Sequence, residues 1–125
     1  MALSIRLEEG RSFTKTLHLA GRLDDETAAA LDRELDRVLE SAVKALVFDL
    51  DGLEYTTSAG LRAFLRAQKS MSQRAGTVLF VNLQAPVQKV FDIARAADLA
   101  TVFRNVQELD AYLDVMQRKA REEPR

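Results

Sequence analysis

Three hydroxyl side chains stand in a row at Thr56, Thr57 and Ser58, followed by Ala59-Gly60. The first chemistry they offer is capping: the oxygen of Thr57 or Ser58 accepts a hydrogen bond from a free backbone N–H at a helix start. The second is group transfer to the Ser58 oxygen. A phosphate there would meet outward-facing amides and the favourable end of a helix dipole, and would add charge and volume to a partner surface. Asp24, Asp25 and Glu54 would repel it if the fold brings them close. The third is nucleophilic catalysis, against which the pattern argues. Thr-Thr-Ser-Ala-Gly is not a Gly-x-Ser-x-Gly elbow, and His18 is the sole histidine that could act as a base. Gly52, Gly60 and Gly76 do not form a phosphate-cradling loop. No group of histidine and carboxylates has the spacing of a common metal site. Gly60 either lets a helix start pack closely or accommodates an awkward backbone angle.

The composition narrows the classes. The chain has 125 residues, 47% hydrophobic and 30% charged, with a formal net charge of −1. That suits one globular domain and argues against a general nucleic-acid binder, which needs a basic field. The absence of cysteine excludes disulfide and thiolate chemistry. No apolar run is long enough to span a bilayer, and the first residues lack a secretory pattern, so the expected location is the cytoplasm.

The elements that must position the hydroxyl row follow from periodicity. Ile5 and Leu7 suggest a first strand and Phe13–Ala20 a second, with Leu17 and Leu19 inward and His18 on the more polar side. Phe13 sits close to the turn at Glu9–Ser12. A helix can start at Asp24 or Asp25, its inner stripe being Ala28, Leu31, Leu35 and Val38. Ala45–Leu50 reads as a buried central strand. Leu61, Phe64, Leu65, Gln68 and Met71 mark a second helix, ended by Arg74-Ala75-Gly76. Thr77–Val81 is a further strand. Pro86 suits the first turn of a third helix with Val87, Val90, Phe91 and Ala94 inward. Ala100–Phe103 suggests a last strand, and Val106, Leu109, Leu113 and Met116 the stripe of a final helix. The expected fold is α/β, a mixed sheet of about five strands with about four helices, whose first two strands form a hairpin and whose later crossovers give parallel pairs. The domain is expected over residues 1–117, with a charged, frayed tail over 118–125.

Gly21-Arg22-Leu23-Asp24, Val47-Phe48-Asp49-Leu50 and Thr57-Ser58-Ala59-Gly60-Leu61 together resemble the STAS domain, and more specifically a bacterial anti-sigma factor antagonist. The resemblance runs from the first strand to the last helix. In that family the strand–loop–helix site commonly reads Asp-Ser-Ser-Gly or Asp-Ser-Thr-Gly. On the spacing to Gly60 the regulatory hydroxyl is Ser58; Thr57 stands at the aspartate position and Ala59 at the second hydroxyl. Thr57 is a departure that removes a carboxylate from beside the serine. The resemblance implies partner switching. The unphosphorylated protein would bind an anti-sigma factor serine kinase through Asp24, Asp25, Thr56, Thr57, Ser58, Ala59, Gly60 and Arg62, with Arg66 one turn on along the same helix side, and so release a sigma factor. Phosphorylation of Ser58 would weaken that complex, and a phosphatase would reset it. The chain itself would be a phosphoryl acceptor rather than an enzyme, with no cofactor of its own; Mg-ATP would belong to the kinase. The alternative is a non-switching STAS binding module in a signalling scaffold or lipid-transport complex. A small enzyme would be marked by turnover that Ser58→Ala abolishes without unfolding.

Overall fold

A computed structural model describes residues 2–94, 101–103, 107–108, 110–111 and 115. In chain order the elements are β1 (Leu3–Glu9), β2 (Thr14–Leu23), α1 (Ala28–Leu39), β3 (Ala45–Thr56), α2 (Ser58–Gln73), β4 (Thr77–Val81), α3 (Ala85–Ala94) and β5 (Thr101–Phe103). The sheet order follows the chain order. β1 and β2 run antiparallel, and β2–β3, β3–β4 and β4–β5 are parallel. The expected tally is corrected. Four strands of five residues or more and three bounded helices form the described fold, and β5 is a three-residue stub against β4. Of the expected final helix, the stripe residues Val106, Leu109, Leu113 and Met116 fall outside the described residues, as does the tail; the described residues of that segment, 107–108, 110–111 and 115, are helical.

The alternating pleat of the sheet sets one core. Leu17 and Leu19 of β2, Leu46, Phe48 and Leu50 of β3, and Val78 and Phe80 of β4 join the inner faces of the helices in one buried cluster. The α1 stripe is the one the spacing predicts, Ala28, Leu31, Leu35 and Val38; on α2 Leu61, Phe64 and Met71 are buried as expected, but Leu65 is 38% exposed and Gln68 only half-buried, and Ala63 and Ala67 take the inner positions instead. Val47, Leu79 and Val81, on the opposite pleat, are also buried, so β4 and the first half of β3 are closed to water on both faces, while Asp51, Glu54 and Tyr55 of β3 are exposed. Four rings fasten α2 and α3 to the sheet. Phe48 and Phe80 stack at 5.2 Å, Phe64 meets them edge-on at 4.9 and 5.2 Å, and Phe91 meets Phe80 at 5.0 Å. Such pairs add about 0.5–1.5 kcal/mol beyond their buried area.

Three local readings differ from the sequence pattern. Phe13 does not begin β2: it follows Ser12 in left-handed backbone, φ 61° after φ 57°, and its ring is 55% exposed beside Lys44. β2 runs on through Gly21 to Leu23 instead of ending at Gly21. Gly21 has φ 102°, and a Cβ there would lie 2.5 Å from the Ala2 carbonyl oxygen, so the position needs glycine. β3 runs on to Thr56, and it does so through two bulges. His18 pairs with Asp49 but Ala20 with Gly52, and Gly21 pairs with Leu53 but Arg22 with Tyr55. Each step inserts one extra residue on β3. The first is braced by the Asp49 carboxylate, which accepts the Asp51 N–H at 3.1 Å and the Asn82 amide at 3.1 Å.

Candidate phosphoacceptor and docking site

Two connections meet beyond the ends of β2 and β3. The first, Asp24–Thr27, is a self-bonded turn. The Asp24 carboxylate accepts the N–H of Glu26 at 3.0 Å and of Thr27 at 3.1 Å. In return the Thr27 hydroxyl accepts the Asp24 N–H at 2.9 Å, and turns its own proton to the Arg22 carbonyl at 2.9 Å or the Asp24 carboxylate at 3.2 Å. Partial burial would raise the Asp24 pKa, but the hydrogen bonds from Thr27 and Glu26 and the Arg22 charge outweigh it and hold the carboxyl below its ordinary range. α1 then begins at Ala28, four residues after Asp24, the earliest start the sequence allowed, because Asp24 braces the preceding turn instead of capping the helix. Asp25, next along, is exposed.

The second connection is Thr56–Gly60. Its main chain is tied to the first by the Thr57 N–H, which donates to the Leu23 carbonyl at 3.0 Å. Thr57 is the N-cap residue of α2 in extended backbone, yet neither hydroxyl performs the expected capping: α2 has no side-chain cap. The Thr57 hydroxyl instead makes a long contact, 3.5 Å, to the Asp25 carboxylate. Thr56 is only 2% exposed, its hydroxyl turned to the Thr57 carbonyl at 3.3 Å. Ser58 is exposed, and among the described residues its side chain makes no hydrogen bond. The uncapped amides of the first turn of α2 lie beside it.

Gly60 explains how tightly the site is seated. A Cβ there would lie 2.7 Å from both Cγ and Cδ2 of Leu23 and would collide with the Thr56 hydroxyl oxygen. The close-packing reading of Gly60 is therefore the one the structure supports; its backbone angle needs no glycine. Ala59 and Gly60 are buried, while Asp25, Ser58 and Arg62 are exposed and Asp24 and Thr57 half-buried. The residues expected to form the docking surface thus divide into an outer set and a supporting floor. Arg66 pairs with Asp32 of α1 at 2.5 Å, whereas Arg62 makes no ion pair among the described residues.

One neighbour escaped the sequence reading. The Arg22 guanidinium stacks over the Tyr55 ring at 4.2 Å, and Tyr55 is 37% exposed. The two become partners only through the second bulge, which no alternation pattern reveals. His18 takes no part in the site. Its ring lies between Glu8, 2.6 Å from Nε2, and Asp49, 3.1 Å from Nδ1, back along the sheet. It is not placed as a base for Ser58. Among the described residues no cluster of His, Asp and Glu could hold a metal ion, and no helix is long and apolar enough to cross a membrane.

Comparison with known proteins gives this arrangement a family. The STAS domain model matches residues 5–109. BtrV of Bordetella bronchiseptica is 33% identical over 76 residues, which cover 61% of this chain and 66% of that protein. The anti-sigma-B factor antagonist of Listeria monocytogenes is 29% identical over 109 residues, 86% of this chain and 93% of the relative. The crystal structure of an anti-sigma factor antagonist from Mycobacterium paratuberculosis superposes with a TM-score of 0.79 over 88% of this chain and 93% of that one, at 19% identity, which establishes a shared fold. STAS domains of this kind are non-catalytic regulatory modules. The chain belongs to the STAS domain family, and within it is similar to bacterial anti-sigma factor antagonists.

Proposed function

We propose that this protein is an anti-sigma factor antagonist that docks on an anti-sigma serine kinase and is released when Ser58 is phosphorylated. The observation that carries the reading is the exposed Ser58 hydroxyl, which makes no hydrogen bond among the described residues, at the uncapped start of α2 beside the Asp24–Asp25 turn. In the transfer, the Ser58 oxygen forms a bond to the γ-phosphorus of ATP as the bond to ADP breaks, and the hydroxyl proton passes to a base of the kinase. The Mg-ATP is the kinase's. The product carries about −1.5 to −2 charge at neutral pH. The first-turn amides of α2 stabilise that charge within the protein, so the fold persists. Toward a partner seated on Asp25, Ser58 and Arg62 it adds bulk and repulsion. A phosphatase would return the serine.

Thr57 supports a second reading, a STAS module that binds partners without switching, since it removes the carboxylate expected next to the serine. Asp25 weighs against that, because its carboxylate reaches the Thr57 hydroxyl and so puts a negative charge back at the loop. The test is quantitative phosphosite mapping after incubation with a neighbouring-gene kinase and Mg-ATP, on wild type and Ser58→Ala. Modification confined to Ser58, and lost in a folded Ser58→Ala protein, is the expected result. Stoichiometric modification of Ser58→Ala would assign the acceptor elsewhere. An active kinase that leaves the wild type unmodified would favour the non-switching module.

A further inference from the structure

β1 is the outer strand of the sheet, and every second residue of an edge strand turns its N–H and C=O away from its neighbour. Proteins guard such edges with charge, and β1 carries Arg6, Glu8 and Glu9, all exposed. Their arrangement is selective. In an antiparallel pairing of β1 with a second copy about a two-fold axis at Leu7, Leu7 faces Leu7, and Arg6 of each copy faces Glu8 of the other. Moving the axis to Arg6 sets two guanidinium groups opposite each other, and moving it to Glu8 sets two carboxylates opposite. Opposed like charges destabilise a strand pair and opposed unlike charges stabilise it. Leu7 is 38% exposed, an apolar side chain at the centre of the permitted register. Arg6 has no ion-pair partner among the described residues. An axis between residues sets the core face of one sheet beside the outer face of the other, which excludes it even where, between Leu7 and Glu8, it would set Arg6 opposite Glu9.

We infer that β1 is a self-association edge: two copies of this chain join antiparallel about Leu7 into one continuous sheet, with Arg6–Glu8 pairs on either side of the axis. Leu7 pairs with Leu17 of β2, toward the hairpin turn. The seam therefore lies away from the Ser58 loops, which sit beyond the opposite end of β3. The two-fold turns those loops in opposite directions and leaves both open.

The interface is small, at the weak end of specific association, so sedimentation is read at a chain concentration of about 100 µM and low salt. Wild type is expected to sediment at twice the 14.0 kDa chain mass. Arg6→Glu alone and Glu8→Arg alone each oppose like charges and weaken association about tenfold or more. An equimolar mixture of the two variants restores both pairs across the axis and recovers the dimer. Leu7→Lys gives the same loss without touching the Glu8 contact to His18. Circular dichroism confirms folding of each variant. A monomeric wild type at that concentration, a dimer indifferent to Arg6→Glu, or a mixture of folded variants that stays monomeric would each overturn the assignment.

Discussion

Replacing Gly60 by alanine tests whether the Ser58 loop is held by close packing. The added methyl would lie 2.7 Å from two carbons of Leu23, a fully buried side chain at the end of β2, and would overlap the Thr56 hydroxyl. Neither neighbour is the free end of a flexible chain. Leu23 belongs to the core cluster, and Thr56 is fixed by the end of β3. Overpacking of this kind costs about 1–3 kcal/mol. Alanine recovers at most about 1 kcal/mol of helix propensity, less in a first turn than in a helix interior. The net loss is therefore about 1–2 kcal/mol. With a urea m-value of about 1.5 kcal/mol/M, the midpoint falls by about 1 M. Gly10→Ala is the control: its nearest neighbour, the Thr14 carbonyl oxygen, is at 3.4 Å, and its midpoint should barely move. The relief of strain displaces Thr56, so the initial rate of Ser58 phosphorylation should fall in Gly60→Ala even where the protein is fully folded. A Gly60→Ala protein as stable as wild type, phosphorylated at the same rate, would refute the close-packing account.

Asp24→Asn should lower stability at neutral pH. The ionised carboxylate is held below its ordinary value of 3.8, so its contribution is present above that pH and is lost as the pH falls through the lower folded-state value. The gap between wild type and Asp24→Asn in urea melts should therefore close in acid; a gap that widens below pH 3.8 would contradict the hydrogen-bonded turn. Phe91→Ala removes the fully buried ring that joins α3 to Phe80 and Phe64. It should cost about 3–5 kcal/mol in chemical denaturation. Ser58→Glu should leave the fold intact and weaken kinase docking about tenfold, ~1.4 kcal/mol, measured by titration calorimetry; unchanged affinity would mean that charge alone does not disrupt the complex.

Much of the scaffold was legible because its signals are local. The α1 and α2 stripes and the apolar runs of β3 and β4 each repeat with the period of the element they form. The site was legible in its residues but not in its division of labour. Hydroxyls at a strand–helix junction suggest caps, yet α2 has none, because the Thr57 hydroxyl faces Asp25 and the exposed Ser58 hydroxyl makes no hydrogen bond among the described residues. That outcome depends on the β2–α1 turn, which is remote in sequence. Phe13 looked like a strand residue because its type favours strands. Its left-handed backbone comes from closing the hairpin and from its carbonyl, which accepts the N–H groups of Lys44 and Ala45. The Arg22–Tyr55 stack was hidden because a bulge shifts the partner by one residue, and the period-two pattern that sequence reasoning relies on is broken there.

Those bulges also bear on how the chain can change over evolutionary time. From His18 to Arg22 β2 advances four residues, while from Asp49 to Tyr55 β3 advances six. Each surplus residue is absorbed in its own bulge, so the buried positions of β3 step by three from Leu50 to Leu53 and from Leu53 to Thr56, and both stay on the inner face. Loss of one codon at either bulge would remove that bulge and leave Thr56 facing inward in a straighter strand. Relatives should therefore differ in length across this segment by single residues, each marking one bulge lost or gained, with the facing of the Ser58 loop unchanged.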